Sequence, residues 1–378
     1  KLSGVRIMAY TTIDDPEKYF QTLIWTGNGS DNRALTNTGR YDLQPDILMI
    51  KNRDDSDPWY FGDTSAKGND GDLPHGGNIS PHSYFQIDSA SARQDDDNVV
   101  VSLQSDGFTV GTSTLSNSNN EKHVAWQWNI TDGATITNDN VANNEGNLST
   151  YQKKNTTSKM VQGYYVGSGN ANIQYGHGLG VAPTFIFIRC LSRTENGRVY
   201  MKGAETANGG MQNLDDAANV NNTNTLLYAK PDATDVAVGT DLSVGGDGHT
   251  YFFWAFADVQ GFSKSNKYIG NGNVDGPFAY CGFKPAFVMM KNSDASNGDS
   301  WHIYDNKRDP INPAYRKLFP DQAANENAAT AIAIDLLSNG FKVRGTDGGI
   351  NESGSTYAFI AFAESTFVTS TGIPCTAR

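Results

Sequence analysis

The sequence is poor in cysteine, in long apolar runs and in charge. Its three cysteines cannot all pair, and none lies in a Cys-x-x-Cys pattern, so a disulfide scaffold and a structural zinc site are both disfavoured. Apolar runs stay under ten residues, too short to span a bilayer. Charged residues are 19% of the chain, with a formal net charge of −12. Acidic surfaces do not attract phosphate backbones or anionic lipids, so we expect no nucleic-acid binding and no membrane insertion.

Residues that favour turns are abundant instead. The chain has 39 Gly and 37 Asn, together 76 of 378 residues, and helices disfavour both types. Aromatic residues make up 11% of the chain, which is enough to build a hydrophobic core. The composition therefore predicts a folded protein with little helix.

Three markers recur in the same order three times along the chain. The first is a Gly-x-Gly turn, the second is a proline leading into an apolar run that ends in a base, and the third is a run rich in aromatic residues. The turns begin at Gly27, Gly167 and Gly270, the prolines are Pro45, Pro183 and Pro285, the bases are Lys51, Arg189 and Lys291, and the aromatic runs are 123–128, 251–256 and 357–362. This recurrence predicts three copies of one structural unit.

Each copy has the pattern of an antiparallel β-sandwich. A proline at the first position of a strand removes no hydrogen bond between strands. The run that follows it is apolar at both odd and even positions, which is typical of a strand buried on both faces. The pairs Asp106-Gly107 and Asn339-Gly340 between alternating strands indicate hairpins. The sequence therefore predicts an all-β protein of tandem antiparallel β-sandwich modules, jelly-roll or lectin-like in kind.

The markers also set the predicted boundaries. These are an N-terminal strand or linker over 1–16, sandwich copies over 17–130, 160–258 and 259–366, a polar linker over 131–159 and a C-terminal tail over 367–378. The polar linker is interpreted as a flexible tether or as an extra hairpin on the sandwich surface. Because the chain starts at Lys1 without an initiator methionine, we expect it to be a piece of a longer polypeptide or a processed one.

Short strings spread over most of the chain carry a family resemblance. They are Thr-Gly-Asn-Gly at 26–29, Leu-Gln-Pro-Asp at 43–46, Gly-His-Gly-Leu-Gly-Val-Ala-Pro at 176–183, Gly-Asn-Gly-Asn at 270–273 with Asp-Gly-Pro-Phe at 275–278, Trp-His-Ile-Tyr-Asp at 301–305 and Leu-Ser-Asn-Gly-Phe at 337–341. In combination they resemble a repeat family of tail-fibre-like and appendage virion proteins of marine bacteriophages, of the cyanophage and pelagiphage type.

The resemblance implies a location and a set of partners. The chain is expected to be a structural component of a phage virion, a tail fibre, spike or similar appendage that attaches to the host surface without catalysis. It would be assembled in the host cytoplasm and exposed on the particle. Other virion proteins and a host surface glycan are the expected partners, and analogy with appendages suggests a homo-oligomer, with a trimer as the specific expectation.

Alternatives stay open at this point. One is a capsid-surface decoration or fibre protein with weak glycan adhesion, and another is a cellular adhesin built from the same modules. A third is a polysaccharide-degrading appendage enzyme, because many carboxylates are available and their separation is a three-dimensional quantity. No motif singles out an acid and a base, so we expect a protein that is not an enzyme and needs no cofactor.

Four aromatic residues close to Asn and Asp are candidates for stacking on sugar rings. They are Trp59, Tyr60, Trp301 and Tyr304. The two tryptophans follow Lys51 and Lys291 at matching distances, a placement that also fits core residues of equivalent strands.

An acidic cluster is the candidate cation site. Asp54, Asp55 and Asp57 offer several oxygens at close spacing, which calcium prefers. The cluster lacks the glycine and the distal glutamate of an EF-hand loop, so a solvated turn is the alternative. The six histidines show no spacing typical of metal binding.

Overall fold

The computed structural model describes residues 11–63, 82–130, 137–139, 148, 150–204, 211–214, 225–294 and 299–365. These residues form an all-β protein, as predicted, and every ladder between their strands is antiparallel. The predicted C-terminal tail and the first ten residues lie outside the described part of the chain. None of the described helices combines the length and hydropathy needed to cross a membrane.

The elements fall into three groups, which we call modules 1, 2 and 3 (residues 17–130, 160–258 and 259–366). Module 1 contains β1 (Phe20–Thr26), β2 (Arg33–Leu35), β3 (Ile47–Asn52), β4 (Tyr60–Asp63), β5 (Ser83–Phe85), β6 (Gln94–Asp95), β7 (Val100–Leu103), β8 (Phe108–Val110), α1 (Thr114–Asn117) and β9 (Lys122–Trp128), after a 3-10 helix over Pro16–Lys18. Two strands follow in the linker, β10 (Thr137–Asp139) and β11 (Thr150–Asn155).

The other two modules have their secondary-structure elements in the same order, with small variations. Module 2 contains β12 (Met160–Val166), β13 (Ile173–Gly176), β14 (Phe185–Cys190), β15 (Arg198–Met201), β16 (Gln212–Asn213), β17 (Asp235–Val238) and β18 (Thr250–Phe256). Module 3 contains β19 (Ser263–Ile269), β20 (Phe278–Tyr280), β21 (Phe287–Asn292), β22 (His302–Asp305), β23 (Arg316–Lys317), β24 (Asn327–Ala328), a 3-10 helix over Thr330–Ile332, β25 (Ile334–Leu337), β26 (Gly340–Val343), α2 (Gly348–Asn351) and β27 (Thr356–Phe362).

All three modules share one strand order. The main sheet runs β1-β9-β3-β4 in module 1, β12-β18-β14-β15 in module 2 and β19-β27-β21-β22 in module 3. A smaller cover sheet accompanies each main sheet, with the orders β2-β8-β7, β13-β17 and β20-β26-β25. The predicted linker contributes β10 and β11 to the edge of the module 2 main sheet, so it extends that sheet rather than lying on its surface.

The strand register is the same in the three modules. The pairs that open the third strand are Ile47 with Trp128, Phe185 with Phe256, and Phe287 with Phe362. Each of these third-strand residues comes two positions after the proline of its copy. The three prolines therefore stand at equivalent strand starts, as the repeat prediction requires.

The two faces of each main sheet contribute to different hydrophobic cores. Side chains on one face point toward the cover sheet and form a separate core inside each module. Side chains on the other face form a single core that all three modules share. On β27, for example, Phe359 lies in the core of module 3, whereas Ile360 and Phe362 lie in the shared core. The three sandwiches are thus packed around one common interior, which the tandem arrangement predicted from sequence did not include.

Candidate functional site

Two tryptophans join neighbouring modules. The indole Nε1 of Trp59 in module 1 donates to the carbonyls of Phe319 and Gln322 in module 3, each at 3.0 Å. Trp301 has the equivalent position in module 3, and its Nε1 donates to the carbonyl of Asn213 in module 2 at 2.7 Å. Both indoles are fully buried, so each places a specific donor inside a joint between modules.

This placement corrects the sugar-stacking prediction. Trp59, Tyr60, Trp301 and Tyr304 are all fully buried, and their rings cannot stack on a sugar. The hydroxyl of Tyr304 donates to the carbonyl of Ile332 at 2.7 Å, inside module 3. The alternative interpretation, that they are core residues of equivalent strands, agrees with the structure.

Module 2 makes its joint with a different side chain. Gly197 stands where the other modules have tryptophan, and a Cβ there would lie 2.9 Å from the ring of Phe187 and 3.5 Å from the guanidinium of Arg189. That guanidinium donates from Nη2 to the carbonyls of Ser89 and Ser91 in module 1, at 2.6 and 2.5 Å. The joints therefore run from module 1 to 3, from 3 to 2 and from 2 back to 1, and the three modules form a closed ring.

A buried ion-pair network strengthens the joint between modules 1 and 3. Arg53 of module 1 binds both carboxylate oxygens of Glu326 in module 3, at 2.9 and 2.8 Å. Arg308 donates to Glu326 at 3.1 Å and to Asp305 at 2.5 Å, and Asp305 accepts from the indole of Trp126 at 3.2 Å. Burial alone would raise the pKa of Glu326, but the hydrogen bond from Arg53 and the charge of Arg308 hold it below its usual value.

Lys51 is buried beside the acidic cluster predicted to bind calcium. Its ammonium donates to the carbonyls of Asn52, Asp55 and Asp57 at 2.8, 2.9 and 2.8 Å. Burial lowers the pKa of Lys51 to about 8, against the opposing charges of Asp57, Asp88 and Asp55. The main-chain oxygens of this turn thus bind an ammonium group of the chain itself.

The three carboxylates of the cluster serve different donors. Asp54 accepts from the main-chain N–H of Lys122 at 2.9 Å, and Asp57 accepts from the amide of Asn52 at 2.8 Å. Asp55 accepts from the N–H of the next residue at 2.7 Å. Over the described ranges, no three His, Cys, Asp or Glu side chains are arranged to hold a metal ion. The structure does not bring the three carboxylates together, and calcium binding stays a prediction.

Further ionisable side chains are buried near Trp301 in module 3. The Nζ of Lys317 lies 3.3 Å from Nε2 of His302, and a carboxylate oxygen of Asp321 accepts from the main-chain N–H of Trp301 at 3.2 Å. Burial, together with the charges of Lys317 and Lys291, lowers the pKa of His302 well below its usual value. Burial raises the pKa of Asp321 to about 6. All four ionisable groups are buried, so this arrangement supports a joint and does not present acid–base groups to a substrate.

The exposed face of β20 breaks the symmetry of the three modules. Phe278 and Tyr280 point outward from this strand and are 43% and 58% exposed, while Ala279 between them is buried. The cover-sheet registers pair Ala279 with Phe341, Leu35 with Phe108 and Tyr175 with Val236. These registers make Ala34 and Thr36 the equivalents in module 1, and Gln174 and Gly176 the equivalents in module 2. The same backbone therefore forms in modules 1 and 2 without outward aromatic rings.

We call Phe278 and Tyr280, with the free edge of β20, the β20 surface. Lys342 pairs with Phe278 across the sheet and forms an ion pair with Asp275 at 2.6 Å, so a charged pair flanks the rings. This surface was not predicted from the sequence. The available signal was the Phe-x-Tyr pattern at a position where the other two copies have Ala-x-Thr and Gln-x-Gly.

An open cleft of about 480 Å³ lies where modules 2 and 3 connect. Its ionisable side chains already have partners, because Lys159 donates to the carbonyl of Leu179 at 3.0 Å and Asp258 accepts from Lys264 at 2.8 Å. The residues that line the cleft therefore offer no free acid–base pair.

The closed ring of sandwiches and the outward aromatic pair define a β-sandwich repeat protein with a candidate interaction surface on its third module. Residues 15–366 match the family described as a domain of unknown function (DUF7483), and the chain belongs to that family. No curated protein and no solved structure matches the chain.

Proposed function

We propose that the chain is a non-catalytic structural component of a bacteriophage particle, part of a tail fibre, spike or similar appendage that contacts the host surface. Its partners in this role are other virion proteins and a host surface glycan, and its place is the outside of the particle. The proposal rests first on the strings that resemble phage appendage proteins.

Three of these strings lie at closely packed positions within the modules or at a joint between them. In the string at 26–29, a Cβ on Gly27 would lie 1.9 Å from the carbonyl oxygen of Ser118, and in the string at 270–273 a Cβ on Gly270 would lie 2.2 Å from that of Glu352. Trp301, in a third string, makes the joint to module 2. The resemblance therefore concerns residues on which the architecture depends, and this observation carries the proposal.

Features of the interior and of the surface support the proposal that the protein is a binding scaffold. Buried indole, guanidinium and carboxylate groups hold the modules together, which gives a rigid body on which polar loops can carry recognition. A net charge of −12 does not favour attraction to a negatively charged envelope, so contact would depend on specific polar or cation-bridged interactions, and many copies on one particle would add avidity.

Localisation in the intact particle tests this proposal. Purified particles are labelled with antibodies against the chain for electron microscopy, and adsorption to host cells is measured with and without these antibodies at several calcium concentrations. We expect label on the tail appendages and reduced adsorption. Absence of the chain from purified particles would overturn the virion assignment, and label on the capsid with normal adsorption would overturn the host-attachment assignment in favour of a capsid-surface protein.

A homo-oligomer, with a trimer as the specific expectation, remains part of the proposal. Light scattering of the isolated chain at micromolar concentration measures it directly. A mass near 41 kDa would contradict it, since the chain itself has a mass of 40.9 kDa.

A further inference from the structure

We infer that the free edge of β20 is a docking site for an extended polypeptide segment that adds a strand to the cover sheet of module 3. The inference goes beyond the proposed function, because it concerns a protein partner wherever the particle carries the chain. It rests on the backbone of β20, on its two outward rings and on the pairing of Leu148 with the equivalent strand of module 2.

The backbone of β20 turns polar groups of two residues away from its own sheet. Val343 N–H donates to the carbonyl of Pro277 at 3.0 Å, and Cys281 N–H donates to the carbonyl of Asn339 at 2.9 Å, so these flanking residues turn their polar groups toward β26. Direction alternates along an antiparallel strand, so the N–H and C=O groups of Phe278 and Tyr280 point away from β26.

These outward groups have no partner in the described part of the chain. β20 is an edge strand of its sheet, and no bridge or hydrogen bond of the described residues reaches the outward groups of Phe278 or Tyr280. An unpaired edge of this kind is a template for strand addition.

Module 2 shows how the equivalent edge is filled. Leu148 forms a parallel bridge with Tyr175 of β13, and its N–H donates to the carbonyl of Gln174 at 2.8 Å. Gln174 is the equivalent of Phe278. The side chain of Leu148 packs against the core of module 2. Leu148 therefore already pairs with this edge of the repeated unit, whereas no described residue pairs with the matching edge of module 3.

The side chains of the β20 surface fit such an occupant. Natural edge strands are usually protected by charges or prolines, but here the two outward positions hold Phe278 and Tyr280. A segment paired with the edge places its own side chains about 5 Å from these rings, where apolar and aromatic pairs stabilise sheets. We therefore identify the occupant as an extended segment of another polypeptide, with an apolar side chain at the position that Leu148 holds on the equivalent edge. Because β20 has only three residues, the single contact is weak and depends on repetition or on further contacts for strength.

The test uses a peptide that contains Leu148, the residue that bridges the equivalent strand of module 2. A synthetic peptide with the sequence of residues 144–152 is added at millimolar concentration to the full chain, and amide hydrogen exchange is followed by mass spectrometry with residue-level fragmentation. We expect exchange at Phe278 and Tyr280 to slow by a factor of about 2–10, with no change at Ala34 and Thr36, which have the same place in module 1.

Two controls separate strand addition from other binding. The same peptide with N-methylated leucine at the position of Leu148 lacks the donor used in module 2, and we expect it to give no protection. The double variant Phe278→Ala/Tyr280→Thr has the module 1 residues on an unchanged backbone, and we expect it to lose most of the protection while its melting temperature stays within about 2 °C of that of the parent.

Three outcomes would overturn the inference. They are no protection by the unmodified peptide, equal protection by the N-methylated peptide, and protection of the double variant equal to that of the parent. Host-envelope oligosaccharides are added in a parallel arm. If they perturb Tyr280 while the peptide does not, the rings form a sugar-binding platform and the strand-addition inference is wrong.

Discussion

At the scale of single residues, two buried lysines of this protein are placed where main-chain carbonyls accept hydrogen bonds from them. Lys51 and Lys291 occupy equivalent positions at the ends of β3 and β21, and both are buried. The ammonium of Lys51 binds three carbonyls, and that of Lys291 donates to the carbonyl of Asp299. An ammonium group with its donors satisfied can remain inside a protein, although its desolvation shows in the lowered pKa of Lys51.

Replacing Lys51 with methionine should destabilise the protein strongly. The methionine keeps the volume, but the main-chain carbonyls of Asn52, Asp55 and Asp57 lose a charged donor. We expect a loss of about 2–4 kcal/mol in the free energy of unfolding, measured by urea denaturation at pH 7. The control is Lys122→Met, whose side chain is 62% exposed in an ion pair with Asp54 and should cost less than about 1 kcal/mol. Equal effects of the two variants would contradict this role of Lys51.

Asp321 makes stability depend on pH in a defined direction. Its pKa is raised from an ordinary 3.8 to about 6, mainly by burial, so the folded chain holds a proton between these values that the unfolded chain has released. Stability contributed by this group therefore falls as pH rises from about 4 to 6 and does not recover above that.

The variant Asp321→Asn removes this titration and retains an acceptor for the N–H of Trp301. The free energy of unfolding is measured for the variant and the parent at each pH. We expect the difference, variant minus parent, to increase by about 2–3 kcal/mol as pH rises from 4 to 7. The exposed Asp31→Asn serves as the control for replacing a carboxylate with an amide. A difference between Asp321→Asn and the parent that is flat with pH would show that the carboxyl does not titrate in this range.

At the scale of elements, the third and fourth strands of each module hold a matched pair of side chains. Modules 1 and 3 combine a lysine on the third strand with a tryptophan just before the fourth, whereas module 2 combines Arg189 with Gly197. The guanidinium lies close to where a side chain on Gly197 would begin. Each pair therefore fills one joint, and its two members are not independent.

A double-mutant cycle at this pair measures the dependence. Gly197→Trp alone should be destabilising because its Cβ meets Phe187 at 2.9 Å and its ring competes with Arg189. Arg189→Lys alone should also be destabilising because one ammonium does not reproduce the fork that binds two carbonyls. We expect the double variant, which recreates the pair of modules 1 and 3, to be more stable than the sum of the single effects by about 1–2 kcal/mol. Additive effects would contradict the proposed pairing.

The same elements show how far sequence reasoning reaches. The apolar runs after Pro45, Pro183 and Pro285 predicted strands buried on both faces, and that prediction is confirmed. The apolar pattern did not predict that the second face of these strands packs against the other modules. Periodicity indicates that a residue is buried, but it does not identify the residues that bury it. Trp59 and Trp301 lie at matching positions in two copies of the repeat. This match favoured a place in the core over the alternative that they stack on sugar rings.

The surface and the acidic turn were less accessible from sequence. Exposure of Phe278 and Tyr280 depends on the register of β20 with β26, which becomes visible only when the three cover sheets are compared. The turn with Asp54, Asp55 and Asp57 looked like a cation site because its oxygens are close in sequence. In the fold, the main-chain oxygens of Asp55 and Asp57 bind the buried ammonium group of Lys51.

At the scale of the whole molecule, the shared core joins the stability of the three modules. Trp128, Phe256 and Phe362 are equivalent residues at the ends of the three last strands, and their rings meet in the shared core, with centroids 5.7 Å apart for Trp128 and Phe362 and 4.9 Å apart for Phe256 and Phe362. A module removed from the others would expose this face of its main sheet to water. The burial that stabilises each module therefore includes the other two.

The described body should consequently unfold as one cooperative unit. We expect a single transition in scanning calorimetry of the full chain, with the calorimetric enthalpy equal to the van't Hoff enthalpy.

Residues 259–365 expressed alone should bind a hydrophobic dye and lack a cooperative transition, because Phe287, Ile360 and Phe362 lose the side chains that cover them in the full chain. In the full chain, Arg53→Met should shift the whole transition to lower temperature without splitting it, since its loss leaves the half-buried Glu326 without its bidentate partner. Three separable transitions, or an isolated third module that melts cooperatively at the temperature of the full chain, would show that the sandwiches are independent and that the shared core contributes little to their stability.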